Sequence, residues 1–149
     1  MRLTVRTDYA FRMLLYLAVH PERLCTIKEI AQAYHISEPH LMKITHQLSQ
    51  LAWIETVRGK GGGMKLAKKP EEISLAEVIK TVEPDFYLVE CFSSDNTCTI
   101  GAYCGLTGIM QEALDAFIGC FAKYSLADIL KSGVLPSDES LEKIVNFMK

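Results

Sequence analysis

The chain has 149 residues, 49% of them apolar, and a formal net charge of −2. That length is one domain, or a small domain with an appendage, and it buries roughly 70% of its unfolded surface without needing staples. The apolar run 13–19 is far too short to cross a bilayer, and Asp8, Arg12 and the lack of a cleavage-site pattern argue against a secretory signal, so a cytoplasmic, thiol-reducing location with no membrane partner is expected.

The small net charge hides an asymmetry. Residues 1–70 carry 11 Lys and Arg against 5 Asp and Glu, whereas residues 71–149 carry 5 against 13. A basic front half points to a polyanion partner for that half. A solvated basic face with no partner is the plain alternative.

Residues 7–20 read as a helix. Thr7 is placed to cap it, and Asp8 sits in the first turn, where a carboxylate suits the positive end of the helix dipole. Its apolar residues run nearly all round, so burial on several sides is expected, and Pro21 ends it. Thr26-Ile-Lys-Glu29 is a capping box opening a second helix to about Tyr34. His35-Ile36-Ser37 is a tight turn. Ser37 caps a third helix to about Leu51, with Glu38 and Pro39 in its first turn, where a missing N–H costs nothing.

The third helix has two faces. Leu41, Ile44, Leu48 and Leu51 share one, and His40, Lys43, Gln47 and Gln50 share the other. Two short helices joined by a three-residue turn, the second with a hydrogen-bonding face, match a helix-turn-helix. Amphipathic helix pairs without a DNA role share this pattern.

Two strands at 53–58 and 64–67 flank Gly59-Lys60-Gly61-Gly62-Gly63 and predict a hairpin with a glycine-rich tip. From Thr56 to Pro70 there are five basic residues and no acidic one. Glycines let a backbone approach a phosphate, and the cations neutralise it. The order helix, turn, helix, basic hairpin is that of a winged helix-turn-helix. A nucleotide-binding phosphate loop is set aside, because the Gly-x-x-x-x-Gly-Lys-Ser/Thr spacing is absent and no helix opens after these glycines.

Ser74-Leu-Ala-Glu77 reads as another capping box, opening a helix that Pro84 stops. A long helix is expected over 105–124, with a wide apolar stripe from Ile109 to Tyr124 that serves as intramolecular core or as a dimer seam; the dimer is favoured. A short capped helix follows over 125–130, and 133–149 is a tail with one weak amphipathic set.

Between Pro84 and Gly105 lies a loop carrying Cys91, Cys98 and Cys104, three of the five cysteines. Ser93, Ser94, Asp95, Asn96 and Gly101 are loop formers. Three thiols on one flexible loop can converge on a metal or cluster, with a fourth ligand supplied from elsewhere. A disulfide with one thiol left over, or inert buried thiols, are the other readings. Cys25 and Cys120 read as structural. No arrangement of nucleophile, base and oxyanion donors stands out, so the chain is not expected to be an enzyme.

Several separate motifs now fall in order: the opening Met-Arg-Leu-Thr with Thr7-Asp8-Tyr9, the wing from Val57 to Gly63, Glu83-Pro84, the three-cysteine loop, and Tyr124-Ser-Leu-Ala-Asp-Ile-Leu130. Over roughly residues 1–131 the chain resembles the nitric-oxide-sensing repressors of the IscR-like family of winged-helix iron–sulfur regulators. The resemblance implies a homodimer on double-stranded operator DNA. Each subunit would hold an iron–sulfur cluster of the 4Fe-4S type, with 2Fe-2S the alternative. Cys91, Cys98 and Cys104 would be thiolate ligands, and Asp8 from the other subunit the fourth. A supply-sensing branch of the family uses a histidine three residues after the third cysteine, where this chain has Thr107; that favours nitric oxide as the signal. The six residues between Cys91 and Cys98 exceed the family's usual gap.

The resulting expectation is a mostly α fold with a small β-hairpin wing and a long C-terminal dimerisation helix. Residues 1–83 form the DNA-binding region, 84–104 the cluster loop, 105–131 the dimerisation helix and short capped helix, and 132–149 the tail. Ser37, Pro39, His40, Lys43 and Gln47 are expected at the groove, with Arg58, Lys60 and Lys65 on phosphates or in the minor groove. Two rival functions are an IscR-like regulator reading iron–sulfur supply and a thiol or cluster protein that does not bind DNA.

Overall fold

The computed structural model describes residues 3–100 and 103–132. The tail expected at 133–149 lies outside the described residues. Helix α1 (Val5–Ala18) buries Thr7, Ala10, Met13, Leu14, Tyr16 and Leu17, and Tyr9, Phe11, Leu15 and Ala18 pack half-buried against the same core, so the helix is covered on several sides. Its N-cap is Thr4, not Thr7, which is fully buried within the helix. The shift has a distant cause. Thr4 donates both its backbone N–H (2.8 Å) and its hydroxyl (3.1 Å) to Glu83 Oε1. The start of α1 is thereby fastened to a residue 79 positions away, beyond the reach of local capping rules.

Helix α2 (Ile27–Tyr34) is capped by Thr26, whose hydroxyl oxygen accepts the Glu29 N–H at 3.2 Å. It ends at His35 in the left-handed conformation, where the Ile36 N–H returns to the Ala31 carbonyl at 3.0 Å. Helix α3 (Glu38–Gln50) follows and buries Leu41, Ile44, Thr45 and Leu48 against α1 and α2. Ser37 takes the cap backbone conformation without a side-chain cap bond. Helix, turn and helix are thus in place.

Strands β1 (Ile54–Val57) and β2 (Gly63–Leu66) pair antiparallel in the register Ile54↔Leu66 and Val57↔Gly63. β1 is shorter than predicted because Trp53 and Arg58 fall outside the ladder, and β2 keeps its predicted length but is shifted by one residue, gaining Gly63 and losing Ala67. On its other edge β2 exchanges two backbone bonds with Cys25, Cys25 N–H to Met64 O at 2.9 Å and Met64 N–H to Cys25 O at 2.7 Å. This stitches the wing to the entrance of α2. The wing tip needs its glycines: Gly59 and Gly61 have φ of 97° and 77°, and a Cβ on Gly62 would collide with the Val57 carbonyl.

Helix α4 (Leu75–Val82) packs on α1. The expected Ser74–Glu77 capping box does not form; the Leu75 N–H, the first in need of a partner, is taken by the Tyr124 carbonyl at 3.0 Å. A return bond from Leu126 N–H to Ile73 O at 2.9 Å makes this a bridge between distant segments. Helix α5 (Gly105–Phe121) leads into α6 (Leu126–Ser132). Asp128 accepts the amide and hydroxyl of Ser125, both at 2.8 Å, closing the start of α6.

One core unites α1 to α4 with the wing, and Leu126 of α6 completes it. α5 stands apart: only Leu114 of its apolar stripe is buried, while Leu106 and Ile109 are 54% and 64% exposed. Within one chain the stripe is therefore only partly covered, with Met110, Phe117, Ile118 and Phe121 half-buried. No described helix is long and apolar enough to cross a membrane.

Candidate functional site

The exposed side of α3 and the wing make one candidate surface. Ser37, the N-cap of α3, and Pro39, His40 and Lys43 on the helix are solvent-exposed. Gln47 differs. Its side-chain nitrogen donates to the Thr81 carbonyl at 2.9 Å, and its oxygen accepts from Arg6 at 3.0 Å. Both ends of that amide are engaged inside the subunit. Met42, 53% exposed on the same helix, was not singled out from the sequence. Its signal was visible there: an apolar residue off the Leu41–Ile44–Leu48 stripe. An exposed methionine beside polar groups suits apolar contact with a thymine methyl.

On the wing, Arg58 and Lys60 are exposed at the tip. Lys65 is exposed too, but it pairs across the hairpin with Glu55 at 3.5 Å. Glu55 lies one residue before the stretch that is free of acids, so it dilutes the positive charge at the base of the wing rather than at its tip.

The second candidate surface is the cysteine loop. Cys91, Cys98 and Cys104 line one cavity of about 240 Å³ together with Val89, Glu90, Ile100, Leu106 and Thr107. Cys91 sits in a 3-10 turn (Glu90–Phe92), Cys98 in the loop after it, and Cys104 at the N-cap of α5. Cys91 and Cys104 are half-buried and Cys98 is exposed. The Cys91 thiol lies 3.6 Å from the hydroxyl of Thr107. Among the described residues, no three His, Cys, Asp or Glu side chains converge closely enough to hold a single metal ion. Glu90, which spacing did not single out, accepts hydrogen bonds from the hydroxyl and the N–H of Thr97, and these hold its carboxyl below the usual range.

The remaining cysteines behave differently. Cys25 is fully buried beside the wing, and burial pushes its thiol up to about 11, so it is unreactive near neutral pH. Cys120 is exposed on α5.

Asp8 is exposed on the first turns of α1 and is not among the described residues lining the cysteine cavity of its own chain. It makes a two-pronged pair with Arg12, Nε to Oδ1 at 3.2 Å and the second guanidinium nitrogen to Oδ2 at 2.9 Å. That same turn abuts α3. Tyr9 stacks at a tilt on His40 with ring centroids 6.3 Å apart, and Val5, Arg6, Tyr9, His40, Lys43 and Ile44 surround a cavity between the two helices.

Comparison with known proteins places this architecture. The chain is 46% identical over 134 residues to the HTH-type transcriptional regulator NsrR of Bacillus subtilis (strain 168), covering 89% of this chain and 92% of that one. Its fold is similar to that of T. potens IscR (TM-score 0.71, 22% identity, 89% of this chain and 88% of that one). It is also similar to CymR, the global cysteine regulator of B. subtilis (TM-score 0.68, 21% identity, 89% and 98%). The Rrf2 family, described as iron-dependent transcriptional regulators, matches residues 3–132. The chain is a winged-helix protein that belongs to the Rrf2 family of transcriptional regulators, which are not enzymes.

Proposed function

We propose that this chain is a nitric-oxide-responsive transcriptional repressor that binds operator DNA as a homodimer with an iron–sulfur cluster, 4Fe-4S in type, in each subunit. The observation that carries the reading is the placement of Cys91, Cys98 and Cys104 around one cavity in a chain 46% identical to NsrR. The donor set fits the group: thiolates are the ligands that iron–sulfur clusters take, and these three surround one cavity. When bound, the cluster supplies iron that reacts with nitric oxide.

The chain's own residues do the rest. Cys91, Cys98 and Cys104 would hold three positions. Asp8 of a second copy would hold the fourth, with a hard carboxylate that is a weaker ligand for iron than a thiolate. To act so, Asp8 exchanges or shares its pair with Arg12. The turn that carries Asp8 also carries Arg6 and Tyr9, which touch Gln47 and His40 of α3. Holding or releasing Asp8 therefore biases the seating of α3 against its half-site, with half-sites about one helical turn apart. The exposed stripe of α5, with Leu106 and Ile109, supplies the apolar surface that a second copy covers. Reduced thiols and a DNA partner both suit the cytoplasm.

An anaerobic nitric oxide titration tests the reading, following visible absorbance with iron and sulfide measured on the same sample. The expected result is a brown protein with near four irons per subunit that bleaches at low multiples of nitric oxide and then leaves operator DNA. Stable two-iron absorbance with DNA binding indifferent to nitric oxide would replace the signal by cluster supply. A protein without sulfide from iron-replete cells would overturn the cluster.

A further inference from the structure

Cys91 and Cys98 are separated by six residues rich in loop formers. An unrestrained spacer of that length would let Cys98 sample many positions relative to Cys91, and ordering it on binding would cost conformational entropy. The loop is instead closed at its neck. Glu90 Oε1 accepts the Thr97 hydroxyl at 2.6 Å and the Thr97 N–H at 3.1 Å. Glu90 and Thr97 are the residues directly before Cys91 and Cys98, so the clasp joins the two points from which the thiols hang.

The rest of the loop folds inward on that neck. The Ser93 N–H returns to the Glu90 carbonyl at 2.9 Å, and the Asp95 N–H to Ser93 Oγ at 3.2 Å. The Cys98 N–H bonds Asn96 Oδ1 at 2.9 Å, a local turn that orients the third of the spacer nearest the thiol. Cys91 is held separately, through its contact with Thr107 in the first turn of α5, and Cys104 occupies the N-cap position of that same helix without a side-chain cap bond. Two thiols thus rest on α5, while Cys98, the exposed one, depends on the spacer for its place.

We infer that Glu90 is a positioning residue: its carboxylate, clasping Thr97, sets Cys98 opposite Cys91 and Cys104 and so makes the long spacer compatible with a three-thiolate site. The inference rests on the cluster reading above for the identity of the ligand, but the clasp itself acts on the thiols whatever they bind. Residues that orient ligands in this way typically govern metal affinity by about 10- to 100-fold.

The test compares the full chain with Glu90→Ala, Glu90→Gln and Thr97→Val, handled anaerobically. Two quantities are measured: the rate of iron release from the cluster-loaded protein to a chelator, and the affinity of the metal-free protein for cobalt(II), read from its sulfur-to-cobalt charge-transfer band. Glu90→Ala is expected to release iron about 10-fold faster and to bind cobalt about 10-fold more weakly, with an unchanged thermal melt. Glu90→Gln keeps an oxygen that accepts both Thr97 bonds and is expected within about threefold of the native chain. Thr97→Val loses the shorter bond and falls between.

Native-like values for Glu90→Ala in both measurements would overturn the clasp. So would equal damage from Glu90→Gln, which would assign the effect to charge. A native chain that binds cobalt through its thiols but never holds iron with sulfide would sink the cluster reading while the cobalt series still decides the clasp. A native chain that binds neither would overturn both.

Discussion

The side-chain nitrogen of Gln47 lies 2.9 Å from the carbonyl oxygen of Thr81, which ties the exposed helix of the helix-turn-helix to the far end of α4. Arg6 bonds the other end of the same amide at 3.0 Å. Gln47 thus joins α1, α3 and α4 at one point, and its partner on α1, Arg6, lies two residues before Asp8. Its partly buried amide acts as a strut between elements. Gln47→Ala is expected to destabilise the fold by about 1 kcal/mol, the usual net value of such bonds. It should also weaken binding to all half-site variants by a similar factor. Thermal melts and binding to a panel of single-base operator variants check this; a change of preference at one base pair would return Gln47 to the groove.

Asp8 and Arg12 form a pair exposed to solvent, and such pairs contribute at most about 1 kcal/mol. Asp8→Asn should therefore leave the melting temperature of the metal-free protein within a few degrees of native. If Asp8 is a cluster ligand from a second copy, the same substitution makes the cluster of the loaded dimer labile and blunts the response of DNA binding to nitric oxide. The two measurements separate a ligand from a plain helix-start carboxylate, which would alter neither.

The wing's lysines are not equivalent. Lys60 is exposed at the tip, whereas Lys65 is shared with Glu55 across the strands. Lys60→Ala is expected to lower operator affinity and to reduce the slope of log affinity against log salt by about one. Lys65→Ala should reduce the slope by less. Titrations at several salt concentrations decide it, and an unchanged slope for Lys60→Ala would remove the wing tip from the DNA contact.

Glu29 anchors the base of α2. Its carboxylate accepts from Arg23 at 2.6 Å and from the Thr26 hydroxyl at 3.2 Å. Burial pushes the carboxyl up, but these hydrogen bonds outweigh it and hold the group below its ordinary value of 4.5. A depressed carboxylate contributes its full stability above the ordinary value and loses it as pH falls through the folded one. Glu29→Gln keeps the Thr26 cap but removes the charge that faces Arg23, so it should cost up to about 1 kcal/mol at neutral pH and less as the solution is acidified below about 4.5. Denaturant melts of both proteins from pH 7 to 3 would show their midpoints converging.

What was legible along the chain was local. The spacing of Leu41, Ile44 and Leu48 located α3 because one helix face repeats every three or four residues. Thr26 and Glu29 marked the start of α2 because their partners are three residues apart. The glycine tip announced the wing because its backbone excludes a side chain. Local rules failed where a distant group won. Glu83 fastens the cap of α1 at Thr4 rather than Thr7, and at α4 the Tyr124 carbonyl accepts the Leu75 N–H while the Ser74 side chain makes no cap bond.

Periodicity, capping and turn chemistry act over a few residues, so the sequence by itself determined the order of helices, the winged helix-turn-helix and the presence of three thiols in one loop. Which groups meet across the chain depends on packing, and only the tertiary structure decided that. It left the stripe of α5 only partly covered, occupied both ends of Gln47, and set Cys91, Cys98 and Cys104 around one cavity with Glu90 closing the neck of their loop. Two residues seven positions apart on a flexible spacer carry no fixed distance in sequence; the Glu90–Thr97 hydrogen bonds supply it.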